Sequence, residues 1–221
     1  MAMTPTLAFD VYGTLIDTHG VVGKLEVLLG NADQARAFSQ TWRDKQLEYS
    51  FRRGLMKNYK NFAVCTRDAL SYTCAFYQIN FSREQQDELL AIYRTLPAFP
   101  DVKESLSRLS AEGCLLFAFS NGSAEAVDKL LITAGIRGYF QDVISTDEIL
   151  SFKPNPEVYK HFLHRSHSNK ENAWLISSNA FDVTGALSYG MRAAWVQRSA
   201  DAVFDPWGME PTITVTSLNE L

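Results

Sequence analysis

Four short segments of the chain carry side chains whose types could do covalent chemistry. Asp10 follows directly on the apolar run Leu7-Ala8-Phe9 and precedes Gly13-Thr14, the pattern of a buried strand that ends in a functional turn. A carboxylate placed there can act as a covalent nucleophile. Ser120-Asn121-Gly122 follows a second apolar run, Lys153 lies in the loop Phe152-Lys153-Pro154-Asn155-Pro156, and Ser177-Ser178-Asn179 with Asp182 follows a further run. A lysine beside the nucleophile would supply a fixed positive charge that keeps it ionised, and a second carboxylate could orient or deprotonate water. Each residue also has an ordinary reading: Asp10 as a turn aspartate, Lys153 as a solvated surface lysine, Ser120 as a helix N-cap.

Such residues need a frame that gathers strand ends. Besides 7–9, the runs 114–119, 173–176 and 193–196 read as strands, with weaker signals at 143–144 and 213–215, and helical patterns such as 102–109 and 127–134 lie between them. The alternation predicts an α/β fold: a Rossmann-like, mostly parallel sheet with helices on both faces. Residues 18–96 differ, showing amphipathic helical patterns at 40–51 and 62–77 and little strand character. The expected division is a catalytic core of residues 1–17 and 97–221 with a helical cap, residues 18–96, inserted after the first strand. An insertion there would lie over the carboxyl ends of the sheet, where open α/β sheets bind ligands.

Composition narrows the function classes. With 221 residues, 46% of them hydrophobic, the chain can bury one substantial core and a smaller second one. A formal net charge of −4 without blocks of like charge gives no footprint for nucleic acid or an anionic membrane. The start, Met1-Ala2-Met3-Thr4-Pro5-Thr6, lacks the features of a signal peptide, and no apolar stretch approaches membrane-spanning length, so a cytoplasmic location is expected. Cys65, Cys74 and Cys114 form neither an even set nor a CxxC pair and read as reduced and structural. His19, His161, His164 and His167 show no ligand spacing.

Taken in order, Phe9-Asp10-x-Tyr12-Gly13-Thr14-Leu15, Ser120-Asn121-Gly122, Lys153-Pro154-x-Pro156 and Ser177-Ser178-Asn179-x-Phe181-Asp182 resemble the haloacid dehalogenase superfamily, and within it the L-2-haloacid dehalogenases. The likeness reaches into the insertion, where Trp42-Arg43-x-Lys45-Gln46-Leu47-Glu48-Tyr49 resembles the arginine-bearing segment of that family's cap. Relatives that transfer phosphoryl groups carry a second Asp two residues after the nucleophile and another in the fourth motif. The matching positions here are Tyr12 and Ser178. Asp10 and Asp182 alone would hold magnesium poorly, so no metal and no cofactor is expected. Halide also leaves as a weak base that needs no proton, unlike an alkoxide.

The resemblance implies hydrolysis of short L-2-haloacids to D-2-hydroxyacids, with inversion, through an ester on Asp10. Two like charges about 4 Å apart repel by about 4 kcal/mol at an effective dielectric of about 20. Lys153, the Ser120 hydroxyl and the backbone N–H groups of Val11 and Asn121 are expected to offset that repulsion. Arg43, with Asn121 and the edge of Phe181, is implied to receive the departing halide, although arginine on an amphipathic helix is ordinarily solvated. Tyr12, Leu47, Phe62 and Phe181 are candidates for an apolar lining and are equally readable as core. Asp182, with Asn179 and Ser177, either activates the hydrolytic water or holds Lys153. Thr14 and Tyr159 are expected to hold Asp10 and Lys153 by hydrogen bonds, Tyr159 being also readable as a packed aromatic. A homodimer is implied by the resemblance alone, and the expected partners are otherwise the small haloacid and the halide ion.

Three other functions compete: a magnesium-dependent phosphatase of the same superfamily, a fluoroacid-cleaving or ring-opening hydrolase using the same ester chemistry, and a binding module that lost catalysis. Joint presence of Asp10, Lys153 and Asp182 argues against the last, since a binder needs no nucleophile opposite a water-activating carboxylate.

Overall fold

Leu7, Ala8 and Phe9 leave no polar face, which suits a strand covered on both sides. They lie in β1 (Thr6–Phe9), whose four residues are all buried. The computed structural model describes residues 4–221; Met1 to Met3, part of the segment read above for a targeting signal, lie outside the described residues. After β1 come α1 (Gly20–Leu29), α2 (Ala32–Leu55), α3 (Phe62–Phe76), α4 (Arg83–Ile92), α5 (Val102–Ala111), β2 (Leu115–Ser120), α6 (Ala124–Thr133) and β3 (Asp142–Ser145). They are followed by α7 (Pro156–Arg165), β4 (Ala173–Ser177), α8 (Ala180–Tyr189), β5 (Arg192–Val196) and β6 (Ile213–Val215).

All neighbouring strands pair in parallel, in the order β3-β2-β1-β4-β5-β6. The strand order reverses at β1 and β4, and the carboxyl ends of strands at such a switch point form the natural ligand crevice. Side chains alternate between the faces of the sheet. Ala8, Phe117, Phe119, Leu175 and Trp195 pack with Val158, Tyr159 and Phe162 of α7 and Val183 and Ala186 of α8. Each large apolar side chain buried there contributes about 1.5–3 kcal/mol. On the opposite face Phe9 meets Phe140 edge to face, and α5 lies against β2.

The described residues divide into two compact units, one of Ala98–Leu221 with the residues through Asp17, the other Thr18–Pro97. Pro97 thus goes with the insertion rather than the core: the returning chain first pairs with the core at Ala98, opposite Ile16. The inserted unit is α1 to α4. α2 runs well beyond the pattern at 40–51, because Asn31 caps it by accepting from the Gln34 N–H at 2.9 Å and its first turns are held by buried Ala35 and Phe38. Trp42, fully buried, donates its indole N–H to the Thr66 carbonyl at 2.8 Å and so ties α2 to α3. Among the described residues no helix is long and apolar enough to cross a membrane.

Candidate active site

β1 and β4 pair with Phe9 opposite Ile176, and the Asp10 N–H donates to the Ile176 carbonyl at 2.9 Å, so Asp10 leaves the sheet beside Ser177. Beyond Asp10 the chain turns back at once: the N–H groups of Leu15 and Ile16 both donate to the Val11 carbonyl at 3.0 Å. Gly13 supplies the positive φ of 87° that this turn needs. The turn presents Thr14 Oγ1 to Asp10 Oδ2 at 2.8 Å. The Ser178 N–H donates to that same hydroxyl oxygen at 2.9 Å, while Ser178 Oγ donates to the Gly13 carbonyl at 2.8 Å. Thr14 Oγ1 also lies 3.1 Å from Ser178 Oγ, so its one hydroxyl proton has two acceptors in reach, of which Asp10 is the nearer. Asn179, at the N-cap of α8, donates its amide to Asp10 Oδ2 at 2.8 Å and to the Tyr12 carbonyl at 3.3 Å.

Lys153 is the hub of the site. Its side chain is 1% exposed, and its three N–H bonds go to Asp10 Oδ1 at 3.1 Å, Asp182 Oδ2 at 2.8 Å and the Phe119 carbonyl at 2.8 Å. The ammonium also stands 4.2 Å from the Phe119 ring centre, a cation–π contact. Burial works against charging this amine, but the Asp10 and Asp182 carboxylates outweigh it and hold the lysine above its ordinary value. Its backbone N–H donates to Asn121 Oδ1 at 2.9 Å, which anchors the loop to the end of β2. The surface-lysine reading of Lys153 therefore fails.

Asp182 is fully buried in the first turn of α8, where the helix dipole favours a carboxylate. Burial and the charge of Asp10 push its carboxyl above the ordinary range, against the pull of Lys153 and Tyr159. Tyr159 differs from expectation: its hydroxyl lies 2.8 Å from Asp182 Oδ1 and 3.0 Å from the Asp182 carbonyl, so it holds Asp182 rather than Lys153. Gly185, unnoticed in the sequence, makes this approach possible. A Cβ there would lie 2.4 Å from the Tyr159 hydroxyl and 2.6 Å from Pro154 Cβ. A helix-interior glycine costs about 1 kcal/mol relative to alanine, and close packing of a second element is what it permits here.

Ser120 and Ser177 close β2 and β4, with the Ser120 side chain accepting from the Gly122 N–H at 3.1 Å and that of Ser177 from the Asn179 N–H at 3.1 Å. Ser120 is not a helix cap; Ser123 caps α6. Ser120 is buried, as are Val11 and Asn121 just beyond the ends of the adjacent parallel strands β1 and β2. Tyr12 packs close to Gly122, where a Cβ would meet its ring at 3.3 Å. Phe181 sits half-buried in the first turn of α8.

In the inserted unit, Arg43 donates to Gln46 Oε1 at 2.7 Å, Gln46 donates to Thr66 Oγ1 at 2.5 Å, and Thr66 to the Phe62 carbonyl at 2.9 Å. Gln46, buried and overlooked in the sequence, thus orients Arg43. Its signal was a glutamine three residues on from the arginine, one helical turn away. Phe62 is buried at the start of α3, and Leu47 is half-buried on α2.

The donor set does not fit a divalent ion. The Lys153 ammonium lies between the two carboxylates, Ser178 is committed to Gly13, and among the described residues no group of three or more His, Cys, Asp or Glu side chains gathers in ligating range.

Comparison with known proteins agrees with this geometry. A family model described as haloacid dehalogenase-like hydrolase matches residues 4–190. An (S)-2-haloacid dehalogenase from Pseudomonas sp. (strain YL) is 36% identical over 96% of this chain and 90% of its own. A haloacetate dehalogenase from Moraxella sp. (strain B) is 34% identical, covering 100% of this chain and 97% of its own. The structure of the Xanthobacter autotrophicus L-2-haloacid dehalogenase with chloropropionic acid covalently bound superposes with a TM-score of 0.91 at 28% identity, over 99% of this chain and 96% of that one. An α/β core with an aspartate at the end of its first strand and a lysine hub, matched nearly end to end by these proteins, places the chain in the haloacid dehalogenase-like hydrolase family, to which it belongs.

Proposed function

We propose that the protein hydrolyses short L-2-haloacids to D-2-hydroxyacids. The single observation that carries this reading is the Lys153 ammonium bridging Asp10 and Asp182, a fixed cation where phosphoryl transfer would call for a metal. Asp10 attacks the α-carbon of the haloacid, the carbon–halogen bond breaks, and halide leaves with inversion. The Ser120 hydroxyl and the strand-end amides receive the substrate carboxylate. Water then adds to the acyl carbon of the Asp10 ester, which releases the hydroxyacid and restores the carboxylate. Both oxygens of Asp182 are occupied by Lys153 and Tyr159, which supports a role in holding the lysine. Arg43 as the halide acceptor rests on the resemblance of its helix to that family's cap.

The relatives' printed activities support the substrate class, and the (S) designation of several supports the enantiomer. The deciding experiment is halide release from L- and D-2-chloropropionate, with Asp10→Asn as control and a chelator added in parallel. Chelator-insensitive release from the L isomer, abolished by Asp10→Asn, is expected. Magnesium-dependent phosphate release without halide release would replace the reading with a phosphatase. Exposed Leu55, Met56 and Phe76 in the inserted unit support assembly as a homodimer, which sedimentation at equilibrium tests. The three unpaired cysteines support a reducing, cytoplasmic location, testable by cell fractionation.

A further inference from the structure

Arg198, just beyond β5, carries no motif and hydrogen-bonds to none of the residues bonded to Lys153, yet it reaches the back of the nucleophile turn. Its Nη2 donates to the Thr14 carbonyl at 2.7 Å and its Nη1 to Asp101 Oδ2 at 2.7 Å, while the guanidinium stacks 4.3 Å from the ring centre of Phe99. Phe99 is itself tied to this turn, its N–H donating to the Leu15 carbonyl at 3.0 Å. We propose that Arg198 is a positioning residue, whose grip on the Thr14 carbonyl, anchored by Asp101 and Phe99, fixes the turn that aims the Thr14 hydroxyl at Asp10. The proposal rests on the reading of Asp10 as the nucleophile.

Three features support positioning over a merely stabilising ion pair. Asp101 stands at the N-cap of α5 but makes no cap bond. Its Oδ2 instead accepts from Arg198, from the Leu218 N–H at 2.8 Å and from Ser217 Oγ at 3.0 Å. Burial alone would push this carboxyl up; the Arg198 and Leu218 bonds hold it below the usual range. In addition, the guanidinium does not engage Asp101 with its full fork. Nε of Arg198 and Oδ1 of Asp101 are left without a protein partner, because the fork is turned so that Nη2 meets Thr14. A lysine could answer Asp101's charge but could not also span to Thr14 and stack on Phe99.

Arg198→Met and Arg198→Lys separate the alternatives, each checked for folding at the assay temperature. Loss of positioning predicts a kcat for L-2-chloropropionate lowered roughly tenfold to a hundredfold in both variants, the worth of one charge-assisted hydrogen bond, with KM little changed. The lysine variant should recover the melting temperature but not kcat. Amide exchange at Leu15 and Ile16 should rise in both, a readout that does not depend on what Asp10 attacks. A wild-type protein that releases no halide overturns the dehalogenase reading while exchange still decides the positioning. Unchanged exchange at residues 15 and 16, or wild-type kcat in the folded arginine variants, overturns the role of Arg198.

Discussion

Lys153 sits closer to Asp182 than to Asp10, 2.8 Å against 3.1 Å, and the nearer carboxylate is the one with no exposed surface. The lysine is thus seated by a partner that does not itself face a ligand. The farther partner, Asp10, keeps 7% of its surface accessible and a looser hold on the cation, which suits the nucleophile role proposed for it.

Lys153→Met leaves two buried carboxylates facing each other, which should cost about 3–5 kcal/mol of stability and abolish halide release. The pH dependence carries a sign. Because the lysine is held above its ordinary value of 10.5, its contribution to stability is complete below that value and is lost only as pH rises through the higher folded one. The melting-temperature gap between wild type and Lys153→Met should therefore widen as rising pH ionises the two carboxyls that the variant leaves unpartnered, and should not shrink before about pH 10. A gap that narrows through neutral pH would mean that the amine is not the charged hub.

Asp182→Asn keeps the shape of the side chain and removes the charge that seats the lysine. If Asp182 acts by holding Lys153, formation of the Asp10 ester slows and little ester accumulates. Mass spectrometry of the quenched protein reads this directly: an ester trapped in full stoichiometry would assign Asp182 to the water step instead.

Gly185→Ala should destabilise by about 1–3 kcal/mol through overpacking, although alanine is the better helix former. Adding Tyr159→Phe removes the hydroxyl that lies 2.4 Å from the new Cβ, so the double variant should lose less than the two single losses combined. Strict additivity in denaturant melts would show that residue 185 does not press on Tyr159.

Thr14→Val withdraws the donor to Asp10 and strands the Ser178 N–H that now bonds to the hydroxyl oxygen. A fall in kcat of roughly tenfold or more is expected, with Thr14→Ser close to wild type. Equal activity of the valine and serine variants would remove Thr14 from the positioning set.

The strands were legible where burial left a purely apolar run, as at Leu7-Ala8-Phe9, and faint where it did not: two of the three residues of β6 are exposed. Asp10, Lys153 and Asp182 could be read as one site because each follows a strand of the same sheet. Tyr159 was read against the wrong partner because its contact depends on Gly185, on a different helix, and spacing along one helix says nothing about what another helix leaves room for. Arg198 left no trace for the same reason. Its partners Thr14, Phe99 and Asp101 lie about 100 to 180 residues away, joined only by the folded sheet.

All three N–H bonds of Lys153 end on protein atoms, so the cation can neutralise but cannot grip a ligand. The lysine therefore acts on whatever lies beside Asp10 through its field alone, and holding an anionic ligand falls to other donors.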